Sequence, residues 1–256
     1  MKSDNNSLTI ISLGWLGLKL YKYIIKNSTH NFHKVSGSYF HTPKNIENEY
    51  RFDINAMKEL PSEVLNSDII FFNLPPSRID SIQVVREFLN RVKDKKVIFI
   101  SSTSVYGQEG DLDETTLPRP KTKNGIFLLE IENYIKNNIE DYIIIRPGGL
   151  YDNTRHPIYH LSDKESNMGT EEVINLISGK DLIDIIMKSM DRKNITINAI
   201  NENHPNKREF YQELSTRIRI APPKFCSNHT GVKRIIKTTH SDFRVKSNLF
   251  ELSENL

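Results

Sequence analysis

The chain has 256 residues, a formal net charge of +3, 37% hydrophobic and 26% charged residues, and a mean hydropathy of −0.49. That is long enough for one full α/β domain with a small appendage, while no apolar run reaches the length of a membrane span and the first twelve residues lack the basic-then-apolar layout of a signal peptide. The single cysteine, Cys226, excludes an internal disulfide framework and a cysteine-based zinc cluster, so the chain reads as cytoplasmic.

Leu8–Leu13 reads as a short apolar strand that breaks into a tight turn, and Leu16–Lys26 as a helix buried through Leu18, Leu20, Ile24 and Ile25. Strands are predicted next at Lys34–Ser38, ahead of Asp53, and at Asp68–Leu74, Lys96–Ser101, Tyr142–Arg146 and Asn194–Ile200. Helices are predicted at Val84–Val92, at Ile126–Asn137 (Phe127, Ile131, Tyr134 and Ile135 forming one stripe) and at Asp181–Met190. Proline pairs at Pro75–Pro76, Pro118–Pro120 and Pro222–Pro223 mark loops. The alternation predicts an α/β fold, a doubly wound Rossmann-type parallel sheet with a small C-terminal lobe. Residues 1–150 form the dinucleotide-binding core, and 151–256 supply the remaining core elements and the lobe, interleaved in one unit. Tyr151–Leu161 and Pro205–Leu256 are expected to build that lobe over the cofactor cleft.

The first turn carries the chemistry. A strand–turn–helix with Gly-x-Gly-x-x-Gly lets backbone N–H groups approach a pyrophosphate and points the positive helix end at it. Here the three slots are Ser12, Gly14 and Gly17, with Trp15 and Leu16 between the glycines, so the glycine that normally relieves the turn is a serine. Trp15 is expected to pack over the first helix. After the second strand the chain reads Ser38-Tyr-Phe-His-Thr-Pro-Lys44, with no carboxylate until Glu47 to hydrogen-bond a ribose and reject a 2′-phosphate. Ser36, Ser38, His41 and Lys44 would accept that phosphate, which favours NADP over NAD.

Ile100-Ser-Ser-Thr-Ser-Val-Tyr-Gly107, Asp113-Glu-Thr-Thr-Leu-Pro-Arg-Pro120 and Arg146-Pro-Gly-Gly-Leu-Tyr151 stand in order behind the phosphate turn. Together these four segments resemble the extended short-chain dehydrogenase/reductase superfamily, in its nucleotide-sugar epimerase branch. Gly14-Trp-Leu-Gly17, Glu114-Thr-Thr116, Gly125 followed by Leu129-Glu130-x-Glu132, and Arg155-His-Pro157 resemble the superfamily's atypical group. The resemblance implies a bound dinucleotide, a small carbonyl, hydroxyl or sugar-like substrate, and a monomer or helix-paired homodimer. It also implies cofactor contacts from Asp53 (adenine), from Leu74 and Pro75 beneath the cofactor, and from Ser101. Active relatives use a Tyr-x-x-x-Lys pair, the tyrosine as acid/base and the lysine lowering its pKa. Aligned through Gly125, those slots hold Asn124 and Leu128, so standard hydride-transfer machinery is absent. The third member maps to Ser102, a catalytic candidate that orients a substrate oxygen, with Thr103 beside it; a strand-end backbone role serves both equally well.

Arg155 and His156 follow a strand end and are candidate substrate contacts, Arg155 as a bidentate anion grip. No histidine pair has metal-ligand spacing with a third partner, so no metal site is expected. Lys121, Lys123, Tyr106 and Tyr151 are not placed within proton-transfer reach by the sequence. Asn175–Asp181 resembles a segment that packs the C-terminal lobe against the core. Ten Lys and Arg against six Asp and Glu from Asn201 to Leu256 leave the rest of the chain about one unit negative. That excess reads first as a solvated face and second as a patch steering an anionic ligand. Nucleic acid is not expected, because no binding pattern accompanies the charge.

Overall fold

A strand that is apolar on both faces needs cover on both sides, and Ile69-Ile-Phe-Phe72 is such a strand. The computed structural model describes residues 6–27, 32–225 and 230–251; Cys226 lies outside the described residues. In chain order the first elements are β1 (Ser7–Ile11), α1 (Trp15–Asn27), β2 (Lys34–Tyr39), β3 (Glu49–Arg51), α2 (Ser62–Leu65), β4 (Ile69–Phe72), α3 (Ile82–Arg91), β5 (Lys96–Ile100), β6 (Gly110–Leu112) and α4 (Lys123–Asn138). There follow β7 (Tyr142–Pro147), β8 (Gly149–Tyr151), α5 (Ile158–Leu161), β9 (Glu165–Ser166), β10 (Leu176–Ser178), α6 (Gly179–Ser189), β11 (Ile195–Ala199), α7 (Lys207–Ile218), β12 (Lys224–Phe225) and β13 (Arg234–Ile236).

Seven strands form one parallel sheet in the order β3-β2-β1-β4-β5-β7-β11. Side chains alternate between two cores. Ile11, Ile70, Phe72, Phe99 and Ile144 pack with Val85, Phe88 and Leu89 of α3 and Ile131 and Ile135 of α4. Their neighbours Leu8, Ile10, Ile69, Phe71, Ile98 and Ile145 pack with Leu16, Leu20 and Ile24 of α1 and Leu182 and Ile186 of α6. Each such buried side chain stabilises the fold by roughly 1.5–3 kcal/mol. The chain leaves β1 in one direction to β2 and β3, and in the other to β4 and β5. The crevice is therefore expected where the carboxyl ends of β1 and β4 diverge.

Helix starts follow their caps. Thr122 Oγ1 accepts the Gly125 N–H at 3.1 Å, so α4 begins at Lys123, three residues before its apolar stripe alone predicts. Ser178 caps α6 through the Asp181 N–H at 3.0 Å. Helix α7 escaped the sequence reading, although Asn206 caps it and Phe210, Tyr211 and Leu214 give it an apolar side. Those three pack with Tyr151, Ile158, Ile174, Leu176 and Leu249 as a third cluster, the small lobe. Among the described residues none after Arg155 lines the main cleft, while Leu150 and Arg155 themselves do. Among the described residues no helix is long and apolar enough to cross a membrane, and no group of three His, Cys, Asp or Glu could hold a metal ion.

Candidate functional site

Strand β1 ends in a turn that the sequence makes under strain. Ser12, in the slot where glycine normally sits, has φ 82°, a region that disfavours a side chain. Two bonds to the end of β2 hold it: the Ser12 N–H donates to Ser38 Oγ at 2.8 Å and the Leu13 N–H to Ser38 O at 2.7 Å. Gly17 stands behind the turn, where a Cβ would come within 2.2 Å of Ser12 O, so only glycine lets the helix lie this close. A Cβ on Gly14 would meet only Ser12 Oγ, at 3.5 Å, and so would project into open space. The first turn of α1 carries no acidic residue to compensate the positive helix end.

Gly14, Trp15 and Leu16 open a cleft of about 880 Å³ that runs across the ends of β1, β2, β4, β5 and β7. On the side of β2 and β4 it is lined by Ser38, His41 and Lys44, by Asp53, and by Leu74 and Pro75. Asp53 also caps the short turn after β3, accepting the Asn55 N–H at 3.0 Å. Ser36 is buried and does not line the cleft. Phe40, Asn55, Asn73, Arg78 and Ser104 line it as well and were missed from sequence. Asn73 directly follows β4, so the strand-end rule alone could have found it; Arg78 enters only through the turn after Pro76.

No family model matches the chain. Protein YeeZ of Escherichia coli (strain K12) is 27% identical over 241 residues, 85% of this chain and 86% of YeeZ. The chain is thus similar to YeeZ over most of the length of both proteins. Solved structures of the same fold include MoeE5 in complex with UDP-glucose and NAD, at TM-score 0.75 and 18% identity over 97% of this chain and 96% of that one. UDP-glucuronic acid 4-epimerase from Bacillus cereus in complex with NAD matches at TM-score 0.72 and 20% identity, covering 98% and 94%.

The other half of the cleft, between β5, α4 and β7, is lined by Ser101, Ser102, Asn124, Leu128, Gly148 and Arg155 among others. Its polar groups mostly bind one another. Ser101 Oγ donates to Glu132 Oε1 at 2.6 Å, and Glu132 accepts from Arg146 through Nε at 2.9 Å and Nη2 at 2.5 Å. Arg146 Nη1 donates to the Tyr106 hydroxyl at 2.5 Å, and that hydroxyl donates to Asp113 O at 2.8 Å. Glu132 and Arg146 are buried, and Tyr106 has its pKa pushed up by that burial. Ser102 Oγ accepts the Ser104 N–H at 3.1 Å and caps the next turn. Thr103, Lys121, Lys123, Tyr106 and Tyr151 do not line the cleft. Among the described residues, this half contributes no Asp, Glu, His, Lys, Tyr or Cys to the lining.

His156 is buried and does not line the cleft. Its ring is 0% exposed, packed 5.1 Å from Tyr151, 6.1 Å from Phe210 and 6.3 Å from Tyr211, and Nδ1 accepts the Ile158 N–H at 3.2 Å. Burial lowers its pKa to about 4. Alternation around the turn sends Arg155 outward to the cleft and His156 inward, which the sequence does not separate. Trp15 packs along its own helix under Lys19, as expected, and also reaches across to α6 and the Asp152 carboxylate.

Proposed function

We propose that this chain binds a nicotinamide dinucleotide in the cleft, NADP in preference to NAD, and holds it without the acid–base pair of active short-chain dehydrogenases. The observation that carries the reading is the turn itself: an uncompensated helix N-terminus beside an open Gly14, at the sheet's switch point, in a cleft large enough for such a ligand. A diphosphate would lie over Gly14–Leu16, and the adenosine would lie toward Ser38 and Asp53. His41 and Lys44, with no carboxylate between Ser38 and Glu47, support a 2′-phosphate. MoeE5 and the Bacillus cereus epimerase carry NAD, and the departure proposed here rests on those residues after β2. Bound, the dinucleotide would supply hydride chemistry.

Asn124 and Leu128 stand in the expected tyrosine and lysine slots, and among the described residues Arg155 is the sole ionisable side chain of that half in the lining. That lining supports binding without turnover, as a sensor or a partner-binding scaffold. Oxidoreductase or epimerase action on a small carbonyl or sugar-like molecule is the second reading. It is favoured by Ser102, whose Oγ is engaged only as an acceptor and keeps its proton for a substrate oxygen.

Trp15 is the chain's only tryptophan and lines the cleft, so its emission reports on this site alone. Titration with NADPH and NADH is expected to give saturable micromolar binding of NADPH and weaker binding of NADH. No saturable change with either would overturn the reading. An Asn124→Tyr/Leu128→Lys variant, screened beside wild type on a carbonyl panel, separates the two classes. Turnover by wild type supports the enzyme. Turnover gained only by the variant, by a factor of about 10²–10⁴, supports a binding protein that lacks the pair.

A further inference from the structure

Asp152, in the loop after β8, ties that loop to the phosphate turn. Its carboxylate is 1% exposed, and Oδ2 accepts from Trp15 Nε1 at 3.2 Å and pairs with Lys19 Nζ at 3.0 Å. The other oxygen accepts the N–H groups of Thr154 at 2.9 Å and Arg155 at 2.8 Å, which fixes the loop's path. Burial alone would raise this carboxyl's pKa, but Lys19, Thr154 and the backbone donors hold it at about 2, so it stays charged. Lys19 thereby neutralises Asp152.

Arg155 is left over. Its guanidinium lies on the Trp15 indole, 5.4 Å from the ring centroid, and among the described residues no carboxylate pairs with it. The indole beneath it is seated tightly: a Cβ on Gly179, the first residue of α6, would come within 2.7 Å of Trp15 Cη2. Trp15 is also the first residue of α1. An uncompensated, cleft-lining cation is thus mounted on the residue that opens the phosphate-facing helix.

We infer that Arg155 contacts the diphosphate of a bound dinucleotide from across the cleft, with Trp15 as its platform and Asp152 as the anchor of both. The inference rests on the dinucleotide reading above. It assigns Arg155 to the cofactor and not to the substrate. The planar guanidinium fits two phosphate oxygens at once, and stacking orients it before the ligand arrives.

The test compares two ligands by Trp15 emission. NADPH carries the diphosphate; adenosine 2′,5′-bisphosphate keeps the adenosine and the 2′-phosphate without it. Arg155→Ala is expected to weaken NADPH on the order of ten- to a hundredfold and to leave the bisphosphate within about threefold of wild type. Arg155→Lys should recover only part of the loss, and NADPH affinity should depend less on salt in Arg155→Ala than in wild type. Gly179→Ala, which displaces the indole but keeps the arginine, should shift the emission of the free protein and weaken NADPH selectively.

Equal NADPH affinity of Arg155→Ala and wild type overturns the inference and leaves the dinucleotide reading intact. Equal loss for both ligands also overturns it, since the residue would then act on the whole site. Failure of wild type to bind either ligand removes the dinucleotide reading and this inference with it.

Discussion

The two halves of the cleft are built by the same strand–helix repeat and use their polar groups differently. Around β1 and β2, Gly14 faces open space, the end of α1 is uncompensated, and His41 and Lys44 line the wall without serving the core. Around β5 and β7, Ser101 is tied to Glu132, Glu132 to Arg146 and Arg146 to Tyr106. One half leaves polar groups facing the cleft; the other closes them into the protein. The lesson is that one wall of a cleft can stay open while the facing wall is bonded into the core, because the two rest on different strands.

The largest effect should come from the closed half. Arg146→Met leaves the Glu132 carboxylate buried and unpaired, and is expected to cost about 3–5 kcal/mol in chemical denaturation, while Glu132→Leu/Arg146→Met recovers most of it. If the single variant unfolds at the wild-type denaturant midpoint, the closed half is not the structural element described here.

Next is the loop that joins the halves, where Arg155 and His156 face opposite ways. His156 has a folded pKa of about 4 against an ordinary value of 6.5, so the unfolded chain takes up its proton first as pH falls. Stability should be fully present above about pH 6.5 and decline toward pH 4, by up to about 3 kcal/mol from this residue. His204, also lowered by burial, adds to the slope in the same direction. Asp152 loses its contribution only lower, between its ordinary 3.8 and about 2. Denaturation midpoints from pH 7.5 to 4 would record this, and His156→Phe should flatten the curve.

The open half should respond in affinity instead. Lys44→Ala is expected to weaken NADPH by about tenfold, close to 1.4 kcal/mol, and to leave NADH unchanged. A parallel loss for both would assign Lys44 to general attraction rather than to the 2′-phosphate. The smallest effect belongs to the strained turn. Ser12→Gly relieves φ 82° and should raise stability by up to about 1 kcal/mol, visible as a higher Tm.

Much of this was legible in the chain. The six strands placed by apolar runs all lie in the central sheet, since a strand buried on both faces announces itself in its side chains. The strand–turn–helix at Ser12–Gly17 was readable too, because glycine spacing encodes close backbone approach directly. Helix α7 was missed although its signal was present, in Asn206 and the Phe210–Leu214 side. The start of α4 was misplaced because a cap, not periodicity, sets it.

What the sequence by itself determined is the set of elements and their alternation, which local propensity and burial period write residue by residue. Tertiary structure decided what each polar side chain does. Ser101, Ser102, Arg155 and His156 all follow strand ends; packing sends Ser101 to Glu132, Ser102 to a backbone cap, Arg155 onto Trp15 and His156 into the lobe's core. Those partners lie 31, 2, 140 and 55 residues away, His156 being measured to Tyr211. Three of the four separations exceed any local period. Only the closing of the sheet and its two helical layers brings such groups within hydrogen-bond or ring-contact distance.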